Sequence, residues 1–433
     1  MIRRIEALNY RSLQYISQEL RPFQILVGPN ASGKSTFLDV VALLSDFVRN
    51  GLEGALLFGM ELGAGRARSL DELIFNQRGD YFELAVEIEI PPGLQSASKN
   101  GNGDFRYDLA RYETAFGKTD QGELTIKAET LWLIDSERAK RKRQLTRVQP
   151  ALFPVEPDPP QTLITTGKTP HGWRTVAKKV AGSGNDYFKS ENSKWNMQFR
   201  VGPHKAALSA LPEYVERFPI AIWVRNLLLD GIRVLALNSA AMRRPVSPSV
   251  SRTFNVAGAN LPLVIQDLQR EKPQVYNDWL AHIQTILPDI QEVHVRERPE
   301  DRHLYLAIAY NNVAEPVPSW LISDGTLRLL ALTLIAYLQN ESTVYLIEEP
   351  ENGIHPRALE GVFESLSSVY NGQVLIATHS PLVLGLAEPS QLLCFAKNLS
   401  GAVSVVSGDK HPALKKWQGQ VDLATLYAAG VLG

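Results

Sequence analysis

The chain has one cysteine, Cys394, among 433 residues, which excludes an internal disulfide and any cysteine-rich metal centre and suits a reducing compartment. Lying in the apolar run "LLCFA", its thiol is expected to be a small buried residue. An excess of either charge is also lacking: 45 Lys and Arg face 46 Asp and Glu, for a net charge of -1. Attraction to nucleic acid or to a membrane surface would therefore have to come from a local patch. Long hydrophobic runs are missing too. The longest, Leu329 to Leu338, falls short of the ~20 residues of a membrane span. The opening "MIRRIEALNYRSL" carries positive charge but no apolar stretch behind it, unlike a secretion signal. A cytoplasmic protein with no membrane partner is expected. No internal repeat or heptad run is visible, which argues against a long coiled coil.

What the chain does have is enough apolar residue, 44%, for a large core and more than one domain. It also has the stretch "GPNASGKST", residues 28 to 36. Gly28, Gly33, Lys34 and Ser35 fit the phosphate-loop spacing G-x-x-x-x-G-K-[ST], whose backbone N–H groups wrap a polyphosphate. Pro29, Asn30, Ala31, Ser32 and Thr36 complete the candidate nucleotide-binding loop. Context supports the match. Phe23 to Val27 is a short apolar run suited to a buried strand, and Phe37, Leu38, Val41, Leu44 and Phe47 recur at helical spacing up to Gly51. A helix opening at the loop would direct its N-terminus at the phosphates.

Three segments are expected. Residues 1–134 form an N-terminal lobe with the loop and an antiparallel sheet, since Tyr81 to Ile90, Phe105 to Tyr112 and Glu123 to Ile134 alternate with period two. Residues 135–300 are an insert, first irregular and basic ("RAKRKRQLTR", then "PVEPDPP"), then mainly helical, with two helices broken near Pro273. Residues 301–433 alternate strand and helix from "LYLAIAY" through "TVYLI", "QVLIA", "QLLCFA" and "AVSVV". That alternation predicts a largely parallel sheet completed by the N-terminal strand, one nucleotide domain built from both ends of the chain.

The phosphate loop needs an acid at the end of a neighbouring strand, and "VYLIEE" supplies two. Glu348 is the candidate Mg²⁺ ligand together with the Ser35 hydroxyl, and Glu349 is the candidate catalytic group that polarises water. His379, just past "QVLIAT", is placed to reach a terminal phosphate from the same sheet edge. In "LISDGTLRLL", Ser323 is expected to cap a helix beginning near Gly325, with Asp324 between them, making a second anion-seeking helix terminus.

Together these stretches resemble the ABC-type ATPases of the SMC, RecF and OLD group. "GPNASGKST" is similar to the Walker A loop, "VYLIEEP" to the Walker B strand, "ISDGT" to the signature, "ENGIHP" to the D-loop and "ATHSP" to the switch-histidine segment. The opening "IEALNYRSLQ" is similar to that group's first strand. The resemblance implies an α/β P-loop NTPase, an ABC/RecF-like ATPase head with an antiparallel lobe and a mainly helical insert. It also implies ATP and Mg²⁺ as cofactors, Lys34, Glu349 and His379 as catalytic residues, and an ATP-dependent homodimer in which Ser323, Asp324 and Gly325 close on the nucleotide of the partner. Two positions depart from the group: Glu348 stands where aspartate is commoner, and Asp324 replaces a glycine. Neither Gln77 nor Gln144 identifies the glutamine loop. The residues after His379 are too few for the TOPRIM nuclease domain of OLD proteins and contain no D-x-D, so a nuclease or toxin effector is expected on another polypeptide.

The resulting expectation is an ATPase that controls DNA or an effector protein in DNA maintenance or anti-phage defence. The alternative is a nucleotide-dependent scaffold of little turnover that holds a toxin or nuclease. A transporter subunit fits the insert and the signature poorly. The basic run 138 to 147 reads as a DNA-phosphate footprint or as a solvated loop.

Overall fold

The computed structural model describes residues 1–57, 66–95, 99–100, 103–104, 106–143, 159–182, 186–338, 342–398, 400–411, 414, 423–428 and 430. Residues 144–147 of the basic run, Gln144 and most of the proline cluster lie outside them. The chain divides into two compact units, Met1–Arg21 with Pro29–Ile232 and Phe395–Val406, and Pro22–Gly28 with Arg233–Cys394 and Ser407–Gly433.

The first unit is built on an eight-stranded sheet. From one edge its strands run Asn196–Gln198, Tyr187–Lys189, Trp173–Val180, Leu124–Ile134, Leu109–Lys118, Tyr81–Glu89, Ile2–Tyr10 and Leu13–Glu19, with antiparallel pairing throughout. The helix Lys34–Leu56 buries Phe37, Val41, Leu44 and Phe47. Phe47 meets Phe116 at 4.9 Å between ring centroids, and Phe116, Phe82 and Tyr10 continue the aromatic row. This helix does not stop at Gly51: it kinks there at φ 74° and runs on to Leu56. A Cβ at Gly51 would lie 2.9 Å from the His204 carbonyl, so only glycine allows the approach.

The opposite face of the sheet departs from the half-solvated pattern its acidic alternation implies. Glu83 and Arg111 are buried and Glu113 is fully buried. Residues 162 to 165 cover this face, with Leu163 N donating to Glu83 and Thr165 N to Glu113. The part of the insert that reads as turns also supplies the three strands from Trp173 to Gln198. Lysines and glycines mask their alternation, because Lys179 is buried and donates to the Gly202 and Lys205 carbonyls at 2.9 and 2.7 Å.

The second unit is centred on five neighbouring strands of a six-stranded sheet, in the order Ile232–Leu235, Thr343–Glu348, Gly372–Ala377, Phe23–Val27, Leu392–Lys397. The pairings of the last four are parallel. The N-terminal strand is thus zipped to C-terminal ones, Val374 to Ala377 against Phe23 to Leu26. Helices Leu261–Glu271, Pro273–Ile286, Asp324–Leu334 and Pro356–Ser367 contribute to one apolar core around Trp279, whose indole N–H donates to Thr333 at 3.1 Å. "LYLAIAY" does not join the parallel sheet. Leu304–Tyr310 pairs antiparallel with Ile290–Glu297, because only a short turn from Arg298 to His303 separates them, far too short for a parallel crossover. Cys394 is buried, and burial pushes its thiol up to about 12.

Candidate functional site

The phosphate-loop half of the candidate site rests on backbone shape. Ala31 and Gly33 have φ of 59° and 98°, and Gly28 before them 151°. Such alternation turns successive N–H groups to one side, the geometry of an anion nest. At Gly33 the requirement is double, since a Cβ would also lie 2.5 Å from Val403 Cγ2. Lys34 is 6% exposed, and its ammonium donates to the Pro29 carbonyl at 2.9 Å, folding back over its own loop. Ser35 and Thr36 occupy the first turn of a 23-residue helix whose N-terminus no side chain caps. Its leading N–H groups are available to an oxyanion.

The opening motif supports this loop. Tyr10 donates to Asp39 at 2.5 Å, and Arg11 pairs with the same carboxylate at 3.1 Å. Ser12 accepts the Val403 N–H on its carbonyl, and its hydroxyl lies 3.5 Å from Thr36 Oγ1. Asn9 and Arg11 adopt φ of 58° and 49°, which bends the strand end. The sequence resemblance flagged the motif, but Asp39 and Val403 carry no signal in the sequence.

In the second unit three parallel strands deliver polar groups to one edge. Glu348 pairs in register with Ala377, and Ala377 with Leu26. Glu349, His379 and Gly28 therefore all follow the carboxyl ends of adjacent strands, where open α/β sheets bind ligands. Glu348 and Glu349 are both exposed. Glu349 has a φ of 46°, a conformation that costs on the order of 1 kcal/mol in a non-glycine residue. It is held by a bond from its N–H to the Ala377 carbonyl at 2.8 Å and by Asn352 Nδ2 donating to its Oε2 at 2.5 Å.

The sequence had not singled out Glu351. Its Oε1 accepts from Thr378 Oγ1 at 2.5 Å and from the His379 N–H at 3.3 Å, while Oε2 is buried without a hydrogen-bond partner among the described residues. His379 Nδ1 lies 3.2 Å from the Tyr427 hydroxyl, which also donates to the Gly28 carbonyl at 3.1 Å. Tyr427 has no neighbouring motif, so nothing in the sequence points to it.

Ser323 caps the helix Asp324–Leu334, accepting the Thr326 N–H at 3.2 Å. Both Ser323 and Asp324 are exposed. Asp324 is paired with Arg243, whose guanidinium also donates to the Ile322 carbonyl at 2.9 Å. The carboxylate beside this helix terminus is thus neutralised by a residue some eighty positions earlier. Gly325 is required by packing, since a Cβ there would lie 2.4 Å from the Gly353 carbonyl. Arg328 donates to the Asn352 carbonyl at 3.1 Å, so this helix and the "ENGIHP" loop are tied directly.

Residues 23–144 and 250–385 match the family described as "AAA domain, putative AbiEii toxin, Type IV TA system". The chain belongs to this family. Among solved structures this AAA-domain protein is similar to an Smc head bound to the C-winged helix domain of ScpA, at 14% identity and a TM-score of 0.50, covering 94% of this chain and 97% of that one. A Pyrococcus furiosus Smc head bound to the C-terminal domain of ScpA has 11% identity and a TM-score of 0.47, with 94% and 95% covered. The SMC head from Thermotoga maritima has 12% identity and a TM-score of 0.40, with 94% and 98% covered. No curated protein matches the chain. The family model places the chain among AAA-domain proteins, and the Smc head shows the P-loop NTPase fold that it shares. Among the described residues no helix is long and apolar enough to cross a membrane.

Proposed function

We propose that this AAA-domain protein binds ATP with Mg²⁺, hydrolyses it, and dimerises head to head around it. The observation that carries the reading is the shared carboxyl edge of three parallel strands, which run into Gly28, into Glu348 and Glu349, and into His379. The residues present fit a magnesium-bound triphosphate. The loop offers positive-φ backbone and an uncapped helix terminus, the strand end offers exposed carboxylates, and Glu351 keeps an unpartnered oxygen among the described residues.

In this reading Pro29, Asn30, Ala31, Ser32, Gly33 and Thr36 wrap the phosphates with Gly28, and the Lys34 ammonium neutralises them. Ser35 and Glu348 would hold Mg²⁺, which supplies charge neutralisation across the phosphates when bound. Glu349, fixed by Asn352, orients and deprotonates the attacking water. Ser323, Asp324 and Gly325 present their helix terminus to the nucleotide of a second copy. Arg243 makes this tolerable by cancelling the Asp324 charge that would otherwise oppose a phosphate.

The test uses two variants, alone and mixed. Lys34→Ala should lose ATP binding by calorimetry. Ser323→Arg should bind ATP and stay monomeric by light scattering. Mixed with Lys34→Ala, it should regain part of the ATPase activity through one intact composite site. ATP affinity equal to the parent in Lys34→Ala, or no complementation in verified heterodimers, would remove the reading. The output is proposed to be control of DNA or of a separately encoded nuclease or toxin in DNA maintenance or anti-phage defence, within the cytoplasm. A second reading, a slow sensor that holds a toxin, is favoured by the toxin–antitoxin system in the family's description. It predicts ATP binding with turnover below one per protein over the experiment.

A further inference from the structure

The Tyr427 hydroxyl has one hydrogen and two polar neighbours within its own unit, the Gly28 carbonyl at 3.1 Å and His379 Nδ1 at 3.2 Å. A carbonyl oxygen can only accept, so the bond to Gly28 uses the hydroxyl hydrogen. The contact to His379 then requires the imidazole to donate, with its hydrogen on Nδ1. We propose that Tyr427 is a positioning residue for His379, holding an imidazole hydrogen on Nδ1, which in the neutral ring leaves Nε2 as a hydrogen-bond acceptor. In that neutral form Nε2 accepts the hydrogen of a water molecule, and it donates to a phosphate oxygen only once the ring is protonated.

Three features hold the arrangement. The backbone at His379 is anchored, because its main-chain N–H is bonded to Glu351 at 3.3 Å and the preceding Thr378 hydroxyl to the same carboxylate oxygen at 2.5 Å. Tyr427 rides on the helix Leu423–Ala428, where Leu423 is buried in a cluster with Ile25, Val27, Leu384 and Leu392, and Leu426 and Tyr427 pack against it. Burial, and then the charge of Glu351, raise the Tyr427 hydroxyl above its ordinary range, so it keeps its hydrogen. The same residue thereby touches the first residue of the phosphate loop and the switch histidine. A shift of Gly28 on nucleotide binding would be felt at the imidazole through one oxygen atom.

The hydrogen on Nδ1 is inferred from the Tyr427 geometry, whereas its effect on hydrolysis rests on the ATPase reading above. The test is ¹H–¹⁵N correlation of ring nitrogens in histidine-labelled, nucleotide-free protein, with His379 assigned through His379→Gln. The parent should show a protonated Nδ1 and an unprotonated Nε2 at His379. Tyr427→Phe keeps the ring in its apolar cluster and removes only the oxygen. It should move His379 toward the Nε2–H form, lower kcat on the order of tenfold to a hundredfold, and leave ATP affinity within about twofold. An Nε2–H tautomer in the parent, a tautomer unmoved by Tyr427→Phe, or an unchanged kcat beside a moved tautomer overturns the proposal. A parent that binds no ATP yet shows the tautomer shift removes the ATPase reading and leaves the Tyr427–His379 coupling standing.

Discussion

The two units handle polar groups in opposite ways. In the antiparallel sheet of the first, charge is buried and paired within the sheet itself. Arg111 bonds Glu6, Glu113 at 2.7 Å and Glu87 at 3.1 Å, and Glu113 takes further bonds from Trp132 and Thr165. Burial opposes the Arg111 charge, but Glu6, Glu113 and Glu87 more than offset it and hold the guanidinium charged. In the parallel sheet of the second unit, Val344 to Ile347 and Val374 to Ala377 are wholly buried and apolar, and the candidate functional groups come only at the strand ends. A parallel strand is covered on both faces by its crossover helices, so its carboxyl end is the place left for a group that must meet a ligand. A buried carboxylate is therefore not in itself a sign of a site. The buried acids of the first unit are satisfied by their own fold, while the exposed acids of the second are held in place at an edge.

That contrast can be broken most directly at Glu349. Glu349→Gln should cut ATP turnover on the order of a thousandfold, about 4 kcal/mol of barrier, while leaving urea unfolding unchanged and accumulating the ATP-bound dimer by size. A parent-like rate would place the edge acids among structural residues. Slightly smaller is the effect at Arg111. Arg111→Met removes the cation that three carboxylates share and should lower stability to urea by about 3 to 4 kcal/mol, with nucleotide affinity per folded molecule retained. Parent-like stability would show that the buried charges are not structural.

Glu191 sharpens the comparison through pH. It is fully buried, accepts from Ile220 N at 3.0 Å and Ala221 N at 2.7 Å, and burial pushes its carboxyl up to about 7. A carboxyl raised on folding binds its proton more tightly in the folded chain. Its contribution is thus complete below the unfolded value near 4.5 and is lost as pH rises through about 7. Glu191→Gln should flatten the fall in stability between those values by about 3 kcal/mol, read from urea midpoints across pH. The smallest effect is Ser323→Ala, which removes the helix cap and should cost about 1 kcal/mol of stability. A loss several times larger would mean that Ser323 supports more than its own helix.

Much of this architecture was legible in the residues. The loop at Gly28 to Thr36 shows because glycines at fixed spacing before a helix have few other uses, and the apolar strands before Glu348 and His379 show because full burial leaves uninterrupted hydrophobic runs. The Ser323 cap is local and is read from its own neighbours. The strands from Trp173 to Gln198 were hidden because lysines there are buried against carbonyls, which a local pattern cannot reveal. The antiparallel pairing of Leu304–Tyr310 depended on which neighbour the strand found, a choice that alternation alone leaves open.

By itself, then, the sequence determined the elements whose physics is local: the phosphate loop, the acid-ended strands and the helix capped by Ser323. Only the tertiary structure decided which distant side chains complete them. Arg243 on Asp324, Glu351 on Thr378, and Tyr427 on both Gly28 and His379 join residues far apart in the chain. A hydrogen bond depends on distance and direction in space, and neither is encoded in the spacing of residues along a chain.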